Sequence, residues 1–317
     1  METTGNPARH SGQRKAAVVG MFDGVHLGHR HLLGRLKEEA ALRGMSPAVF
    51  TFPTHPLSVV NSAIAPRLLT SPVEKLSLLA DNGITLSQTA FITFDEELRR
   101  LSASDFMRML HDRYAVDFIL RGFNNRFGTE RDLTPEDYRL IAARCGIELM
   151  EADSFMLGGG EGTPLPVSSS RIRQALEKGD IIAANRMSGH PYRLTGTVVG
   201  GKRLGRTIGF PTANILPPHP WKLIPAHGVY VCTASLDGRR MMRAMVNIGT
   251  RPTVDGPDAR PSIEAHIIDF NEDIYGKNLT LEFHHRLRDE IRFTSPARLA
   301  MQLEADREST RRFHIAD

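Results

Sequence analysis

Two histidines in the segment GMFDGVHLGHRHLL, His26 and His29, have the side-chain type and the spacing for phosphate chemistry. They lie three residues apart where an apolar run gives way to a helical pattern, so both face one side of the first helical turn. The amino end of a helix attracts phosphate through its free N–H groups and its dipole. The imidazoles could therefore donate hydrogen bonds to phosphate oxygens and stabilise the charge that grows during phosphoryl or nucleotidyl transfer.

Two other interpretations of this segment remain open. The histidines could be ordinary core or surface residues, or they could bind a metal ion together with His31. No nearby cysteine or carboxylate pair completes a metal site in the sequence, and Gly24 and Gly28 permit close approach of the backbone to a ligand. The setting favours phosphate chemistry over both alternatives.

Two further segments have the composition of anion-binding sites. SSSRIR, residues 168–173, combines serine hydroxyls with an arginine at the start of a helix, although an ordinary serine-capped helix has the same pattern. GTVVGGKRLGRTIGFPTANI, residues 196–215, sets glycines among Lys202, Arg203 and Arg206, and could wrap a polyphosphate. It is not a Walker P-loop because Arg203 follows Lys202, and a flexible turn is the alternative.

The elements that must position these residues change character along the chain. In the first half, strand-like runs alternate with helical patterns from AAVVGMF to IELMEA, which predicts a parallel sheet with helices on its faces. Ligands of such sheets bind beyond the carboxyl ends of the strands, so the turns after AAVVGMF and VDFILRG should line one crevice. The second half has an Asp-Gly hairpin, two alternating segments and a final helix with Leu299 and Leu303 toward the strands, which predicts a small antiparallel barrel.

Composition and length indicate the class of protein. We expect 317 residues to form two domains, placed at residues 1–188 and 189–317 with SGHPY at the join, and one large domain is the alternative. The formal net charge of +4 suits anionic small molecules, and no polybasic or long apolar run predicts binding to nucleic acid or membrane. The two cysteines, far apart in sequence, indicate buried thiols in a reducing compartment. Because the polar amino-terminal residues do not resemble a signal peptide, we expect a cytoplasmic location.

These motifs together resemble the prokaryotic bifunctional riboflavin kinase/FAD synthetases. GMFDGVHLGH resembles the G-x-F-D-G-V-H-x-G-H segment of their HxGH nucleotidyltransferase domain, and SSSRIR resembles the S-S-T-x-I-R of that superfamily, with Ser170 in place of threonine. GKRLGRTIGFPTAN resembles the riboflavin kinase signature G-x-x-x-G-R-x-x-G-F-P-T-A-N. The implied fold class is α/β: an N-terminal Rossmann-like parallel-sheet nucleotidyltransferase domain, followed by a small antiparallel β-barrel kinase domain with a terminal helix.

The resemblance implies an adenylyltransferase site in the first domain. His26 and His29 would be its catalytic residues. Asn125 stands where the family usually has phenylalanine, at the apolar wall near the substrate. The residues implied to bind nucleotide and phosphate are Gly20, Phe22, Asp23, Gly28, His55, Asn124, Ser169, Ser170 and Arg173.

A second site, for riboflavin kinase, is implied in the barrel. Glu264 would be the general base, because the 5′-hydroxyl of riboflavin is a poor nucleophile until a carboxylate takes its proton. Thr212 and Asn214 would hold Mg²⁺, which prefers oxygen ligands. The implied nucleotide-binding residues are Gly196, Lys202, Gly205, Arg206, Thr212 and Asn214, and the candidate flavin contacts are Asn247, Arg288 and Phe293.

The function implied by the resemblance is synthesis of FMN and FAD from riboflavin, with ATP as co-substrate and Mg²⁺ as cofactor. Partners would be riboflavin, FMN, FAD and ATP, without nucleic acid or membrane, and the protein would be a monomer or weak homo-oligomer. Three alternatives remain: a riboflavin kinase with an inactive first domain, a non-catalytic flavin-binding protein, and an HxGH adenylyltransferase for another phosphate ester.

Overall fold

A computed structural model describes residues 13–61, 64–123, 125–159, 162–201, 205, 208–236, 238, 241–250 and 261–315. The chain divides into two compact units. The N-terminal unit consists of residues 1–68 and 75–167, and the barrel unit consists of residues 69–74 and 168–317.

The N-terminal unit is built on a five-stranded sheet of order β3-β2-β1-β4-β5. Every pairing in it is parallel, which confirms the prediction from the alternating pattern. Along β1, alternate residues enter separate cores on the two faces of the sheet, as expected for a strand covered on both sides. The strands are β1 (Lys15–Val19), β2 (Ser46–Thr51), β3 (Thr89–Phe91), β4 (Val116–Arg121) and β5 (Glu148–Glu151).

Helices cover both faces of this sheet, and most begin at side-chain caps. Ser102 accepts a hydrogen bond from the backbone N–H of Asp105 at the start of α5, and Thr134 forms a capping box with Asp137 at the start of α6. The helices are α1 (Leu27–Leu42), α2 (Leu57–Val60), α3 (Pro72–Asp81), α4 (Glu96–Arg99), α5 (Ala103–Tyr114) and α6 (Pro135–Arg144), with a 3₁₀ turn at Leu86–Gln88.

A small hairpin follows the sheet, formed by β6 (Met156–Gly159) and β7 (Gly162–Pro166). Two helices come next, α7 (Ser169–Glu177) and α8 (Ile181–Ser188), of which α8 is capped by Asp180. Both helices belong to the barrel unit and contribute buried side chains to its core, among them Ile172, Leu176 and Ile181.

The barrel unit contains a closed antiparallel barrel of order β10-β11-β12-β9-β8-β13, which confirms the predicted architecture. Alternate residues of β8 are buried in its core, including Tyr192, Leu194 and Val198. The strands are β8 (Tyr192–Val199), β9 (Ala213–Leu216), β10 (Gly228–Leu236), β11 (Met241–Gly249), β12 (Ser262–Ile267) and β13 (Asn278–Arg288), and the terminal helix is α9 (Pro296–Arg312).

Two general expectations from the sequence can be compared with this structure. Cys145 and Cys232 are both buried free thiols, and burial raises the pKa of Cys232 well above its ordinary value. Within the described residues, no helix has the length and apolar character needed to cross a membrane.

Candidate active sites

The histidine pair lies at the carboxyl end of β1, where the chain turns into α1. His26 is the N-cap of α1, and its Nδ1 accepts a hydrogen bond of 3.3 Å from the backbone N–H of His29. The two imidazole rings are stacked, with centroids 3.6 Å apart and planes 14° from parallel. The Phe22 ring lies 5.1 Å from that of His29. The spacing in the sequence therefore does place both histidines together at a helix amino terminus.

The backbone of this turn is unusual because two residues other than glycine adopt positive φ. Phe22 has φ of 46° and Val25 has φ of 37°, with Gly24 at 81° between them. A β-branched residue in this region is strained, so the surrounding packing must hold it. Phe22 and Val25 are both buried in the core under the turn. Strain held by packing is a common property of functional turns, and the two histidines follow directly.

The surroundings of His29 disfavour the protonated imidazole. Burial lowers its pKa well below 6.5, and the nearby His26 and Lys75 lower it further. The residue as a whole is partly exposed, but its Nδ1 is buried and has no hydrogen-bond partner among the described residues. The ring can therefore offer a hydrogen bond to a phosphate oxygen, while positive charge at this site must come from other groups.

Other predicted residues lie around the same edge of the sheet. Gly28 leaves room for the His26 ring, because a Cβ at position 28 would come within 3.3 Å of that ring. Gly20 is similarly close to the Phe22 ring, and Asp23 is buried. His55 follows β2, and its Nδ1 accepts a hydrogen bond of 3.1 Å from the N–H of Leu57.

The segment after β4 places a polar residue at this edge. Asn125 donates a hydrogen bond from Nδ2 to the carbonyl of Val19, the last residue of β1. Its own carbonyl accepts a hydrogen bond of 2.6 Å from Arg121 Nη1. The asparagine found in place of the usual phenylalanine thus ties β4 to β1. The predicted nucleotide contact Asn124 lies outside the described residues.

SSSRIR opens α7 in the barrel unit. Ser168 is the N-cap and accepts a hydrogen bond from the N–H of Arg171 at 3.4 Å. Arg173 Nη2 donates to Ser170 Oγ at 3.2 Å, and Ser169 is the first helical residue. The predicted helix start is therefore present. Phosphate binding by Ser169, Ser170 and Arg173 stays a prediction.

In the barrel, three predicted polar residues form one row across adjacent strands. Glu264 of β12 pairs with Asn214 of β9 on one side and with Asn247 of β11 on the other. The neighbours of Glu264 in β12, Ile263 and Ala265, are buried in the barrel core. Because side chains alternate along a strand, the row of Asn214, Glu264 and Asn247 points the other way, toward the outer surface of the barrel.

A cleft of about 290 Å³ opens at this row, and we call it the Glu264 cleft. The structure brings together here six residues that the sequence assigned to the kinase site: Gly205, Thr212, Asn247, Glu264, Arg288 and Phe293. Thr212 Oγ1 lies 3.5 Å from Glu264 Oε2. The remaining lining residues are mostly apolar and were not assigned to the site from the sequence, although Leu299 and Leu303 were expected to face the strands: Ile208, Phe210, Val229, Met245, His266, Glu290, Ile291, Leu299 and Leu303.

The guanidinium of Arg288 is held at the wall of this cleft by a carboxylate of α9. Arg288 Nη2 donates to Asp306 Oδ2 at 2.7 Å, and Arg288 Nε lies 3.1 Å from both Asp306 oxygens. Gln302 donates to the same carboxylate at 2.9 Å. Asp306 is 4% exposed. In the sequence, its spacing of four residues from Gln302 indicates only that the two side chains can meet on one face of a helix. No motif in the sequence marks Asp306 as part of a site.

A second cleft, of about 390 Å³, adjoins the first through a shared residue, and we call it the Tyr275 cleft. Thr212 lines both clefts. The walls of the Tyr275 cleft come from the ends of β8, β9 and β12 and from the segment before β13: Val198, Pro211, Ala213, Ala265, Ile267, Phe270, Asn271, Glu272, Asp273, Ile274 and Tyr275. The pair of clefts offers one space on each side of Thr212.

Glycines near the row are needed for close packing. A Cβ on Gly201 would come within 2.8 Å of Asn214 Cγ, and a Cβ on Gly196 would come within 2.7 Å of the backbone of Leu216. Gly205 closes a turn, since its carbonyl accepts a hydrogen bond of 2.8 Å from the N–H of Phe210. The predicted cations Lys202 and Arg206 lie outside the described residues.

The donor atoms near this row fit Mg²⁺ better than a softer metal. The side chains of Thr212 and Asn214 offer neutral oxygens, and Asn214 is paired in register with the carboxylate-bearing Glu264. Within the described part of the chain, no group of three His, Cys, Asp or Glu side chains could hold a metal ion by itself.

Comparison with known proteins matches this order of sheet and barrel. The FAD synthetase family model matches residues 8–169, and the riboflavin kinase family model matches residues 188–314. The bifunctional riboflavin kinase/FMN adenylyltransferase of Escherichia coli strain K12 is 35% identical over 300 residues, which cover 93% of this chain and 91% of that protein. The corresponding protein of Bacillus subtilis strain 168 is 33% identical over 307 residues, 95% of this chain and 92% of that protein.

A solved structure is similar over nearly the whole chain. A protein from Streptococcus pneumoniae, described as a macrolide-efflux protein, has a TM-score of 0.82 at 30% identity and covers 95% of both chains. The two family models and the curated relatives extend over both units of the present chain. The chain therefore belongs to the family of bifunctional riboflavin kinase/FMN adenylyltransferases.

Proposed function

We propose that the chain makes FAD from riboflavin in two ATP-dependent steps. The barrel unit phosphorylates riboflavin to FMN, and the site at His26 and His29 transfers an adenylyl group from a second ATP to FMN. The observation that carries the first step is the position of Thr212 between two clefts, with Glu264 beside it. We assign the two activities to residues 1–188 and 189–317.

In the kinase step, riboflavin occupies the Glu264 cleft and ATP occupies the Tyr275 cleft. The apolar walls of the Glu264 cleft suit a flavin ring, while Asn247 and Arg288 supply polar contacts. Glu264 accepts the proton of the riboflavin 5′-hydroxyl while the hydroxyl oxygen forms a bond to the γ-phosphorus of ATP. The bond between that phosphorus and the β,γ-bridging oxygen breaks, and ADP leaves.

Thr212 and Asn214 would hold Mg²⁺ in this site. When bound, the metal neutralises phosphate charge and orients the γ-phosphoryl group. Gly196, Lys202, Gly205 and Arg206 complete the proposed nucleotide-binding set. The proposal for Gly196 and Gly205 is supported by the close packing of the chain at both glycines near the cleft.

In the adenylyl step, a phosphate oxygen of FMN attacks the α-phosphorus of ATP and pyrophosphate leaves. The attacking oxygen is already an anion near neutral pH, so no general base is required. His26 and His29 stand at the amino end of α1, and the N–H groups at a helix amino end can bind an anion. Gly20, Phe22, Asp23 and Gly28 shape this turn, and we propose that His55, Asn124, Ser169, Ser170 and Arg173 contribute nucleotide contacts.

The test is a time course of the full chain with riboflavin, ATP and Mg²⁺, with the flavin products separated. We expect FMN to appear first and FAD to follow with release of pyrophosphate. FMN as the starting substrate tests the second step alone. Formation of FMN without any FAD would indicate a kinase with an inactive first unit, and flavin binding without turnover of ATP would indicate a non-catalytic protein.

Two further properties are part of the proposal. The modest charge and the absence of a polybasic run in the sequence support small-molecule substrates rather than nucleic acid. We also propose that the enzyme is cytoplasmic and monomeric or weakly oligomeric. Size-exclusion chromatography with light scattering at several protein concentrations measures the oligomeric state.

A further inference from the structure

A lysine is buried directly behind the histidine turn. Lys75 belongs to α3 and is 1% exposed. Its Nζ donates hydrogen bonds to the carbonyls of Met21 at 2.7 Å and Phe52 at 2.8 Å, and to Thr51 Oγ1 at 3.2 Å. The three donor positions of the ammonium are therefore directed at β2 and at the turn after β1.

The Met21 carbonyl is an important point of attachment. Thr51 Oγ1 also donates to it, at 3.0 Å, so two donors fix this one carbonyl. The next residue, Phe22, has φ of 46°. The chain then continues through Gly24 and Val25 to His26. The orientation of the Met21 peptide therefore sets the start of the strained turn.

The ammonium also acts on this turn through its charge. The ammonium interacts electrostatically with Asp23 in the turn and with His29 on α1. Asp23 favours the charged form of Lys75, and the charged lysine disfavours a protonated His29. Burial lowers the pKa of Lys75 from 10.5 to about 8, with a smaller opposing effect of Asp23. Near neutral pH the lysine is charged, and His29 is neutral beside it.

A purely structural role does not require a charge at this position. A buried ammonium costs folding free energy even when it is hydrogen-bonded, and an apolar side chain of similar length would fill the same volume. The charge instead lies behind a turn built for anions, where an ordered cation strengthens phosphate binding and requires no reorganisation during reaction.

We propose that Lys75 is a positioning residue for adenylyl transfer, which fixes the histidine turn through the Met21 carbonyl and supplies the positive charge behind it. The inference rests on the proposed adenylyltransferase function of His26 and His29. Lys75 does not touch the reacting atoms in this proposal. It acts through the backbone of the turn and through the protonation state of His29.

The experiment uses the full chain and measures its two activities separately. Lys75→Met removes the charge and the hydrogen bonds, Lys75→Arg keeps a charge that does not titrate, and Lys37→Met, at an exposed site of α1, is the matched control. FAD formation from FMN is measured from pH 6.5 to 9.5. FMN formation from riboflavin by the same preparations reports on the barrel unit.

We expect Lys75→Met to lower kcat for FAD formation at pH 7 at least tenfold, with FMN formation within twofold of the unsubstituted protein. We also expect FAD formation by the unsubstituted protein and by Lys37→Met to fall as the pH rises through about 8, because Lys75 loses its proton there. That decrease should be absent from the residual activity of both Lys75 variants. The shape of a pH profile is independent of the fraction of folded enzyme when that fraction is constant over the pH range used.

Three results would overturn the inference. One is a Lys75→Met protein with normal FAD formation, and another is either variant with the pH profile of the unsubstituted protein. If both Lys75 variants lack activity, hydrogen exchange of the amides of β1 and α1 is compared with that of the unsubstituted protein. Retained protection supports a positioning role. Lost protection is the third overturning result, because it shows that Lys75 is only structural. Absence of FAD formation by the unsubstituted protein would instead contradict the proposed function.

Discussion

Thr212 Oγ1 lies 3.5 Å from Glu264 Oε2, at the point where the two clefts of the barrel unit meet. The hydroxyl and the carboxylate come from neighbouring segments, since Thr212 precedes β9 and Glu264 lies in β12, which pairs with β9. In the proposed kinase step, this relationship lets the carboxylate reach a hydroxyl bound in the Glu264 cleft, and the proposed nucleotide space, the Tyr275 cleft, adjoins it at Thr212. Glu264 is consequently the most informative residue to change in the barrel.

Glu264→Gln should lower kcat for FMN formation about 100-fold or more, because the amide cannot accept the proton of the attacking hydroxyl. FAD formation from FMN should stay within twofold. Glu282→Gln is the matched control, because Glu282 lies in the same barrel and pairs with Arg193 away from both clefts. Normal FMN formation by Glu264→Gln would contradict the assignment of the base.

Gly201→Ala should lower FMN formation at least tenfold, because its Cβ would displace the Asn214 side chain. The adjacent Gly200 has open space at the Cβ position, so Gly200→Ala is a control for the general effect of alanine in this segment. Steady-state assays at several Mg²⁺ concentrations measure the effect. A higher Mg²⁺ requirement in Gly201→Ala alone would support Asn214 as a metal ligand, and equal behaviour of the two variants would contradict it.

Asp306→Asn should raise KM for riboflavin about tenfold, roughly 1.4 kcal/mol of binding free energy, because it releases the Arg288 guanidinium from its carboxylate. KM for ATP should change less than twofold. Glu308→Gln, which alters an outer ion pair of the same helix with Arg311, should leave both values unchanged. An equal rise of both KM values in Asp306→Asn would indicate a general loss of structure.

His29 should make the N-terminal unit less stable in acid. Its pKa in the folded protein is lowered, so below about pH 6.5 the unfolded chain binds a proton that the folded chain does not, and stability falls as the pH falls. The loss approaches about 1.4 kcal/mol per pH unit for one proton. Hydrogen exchange of α1 amides between pH 7 and 5 measures it.

The matched variants for this pH dependence are His29→Gln and His31→Gln, of which the second changes an exposed ring of the same helix. We expect the acid sensitivity to shrink in His29→Gln and to persist in His31→Gln. The same pH dependence in both variants would show that His29 does not carry the effect.

Features set by local rules were predicted well from the sequence. Ser71, Pro72 and Gly83 predict the limits of one helix, and α3 runs from Pro72 to Asp81 with Gly83 at φ of 78° after its end. Ser71 accepts a hydrogen bond of 3.3 Å from the N–H of Glu74, as expected for a cap. The strands of the parallel sheet and the barrel hairpin were also identified, because their apolar patterns are regular.

Features set by contacts between distant segments were not predicted. The β6–β7 hairpin has no alternating pattern, since its sequence is rich in glycine. Lys75 and Asp306 read as ordinary charged residues of helices, and their burial depends on partners that are remote in the sequence. The strand order β3-β2-β1-β4-β5 likewise depends on the packing of whole elements rather than on any one segment.

The discontinuous sequence of the barrel unit limits how the chain can be divided. Residues 69–74 belong to that unit, and Glu74 Oε2 lies 2.8 Å from Lys222 Nζ with both side chains 2% exposed. A gene fragment that starts at residue 189 would encode every strand of the barrel but leave the Lys222 ammonium buried without its carboxylate, a loss on the order of 3–5 kcal/mol. Cutting the chain at that boundary to separate the two activities would therefore yield a weakened kinase, although the linear motifs of each half would be intact.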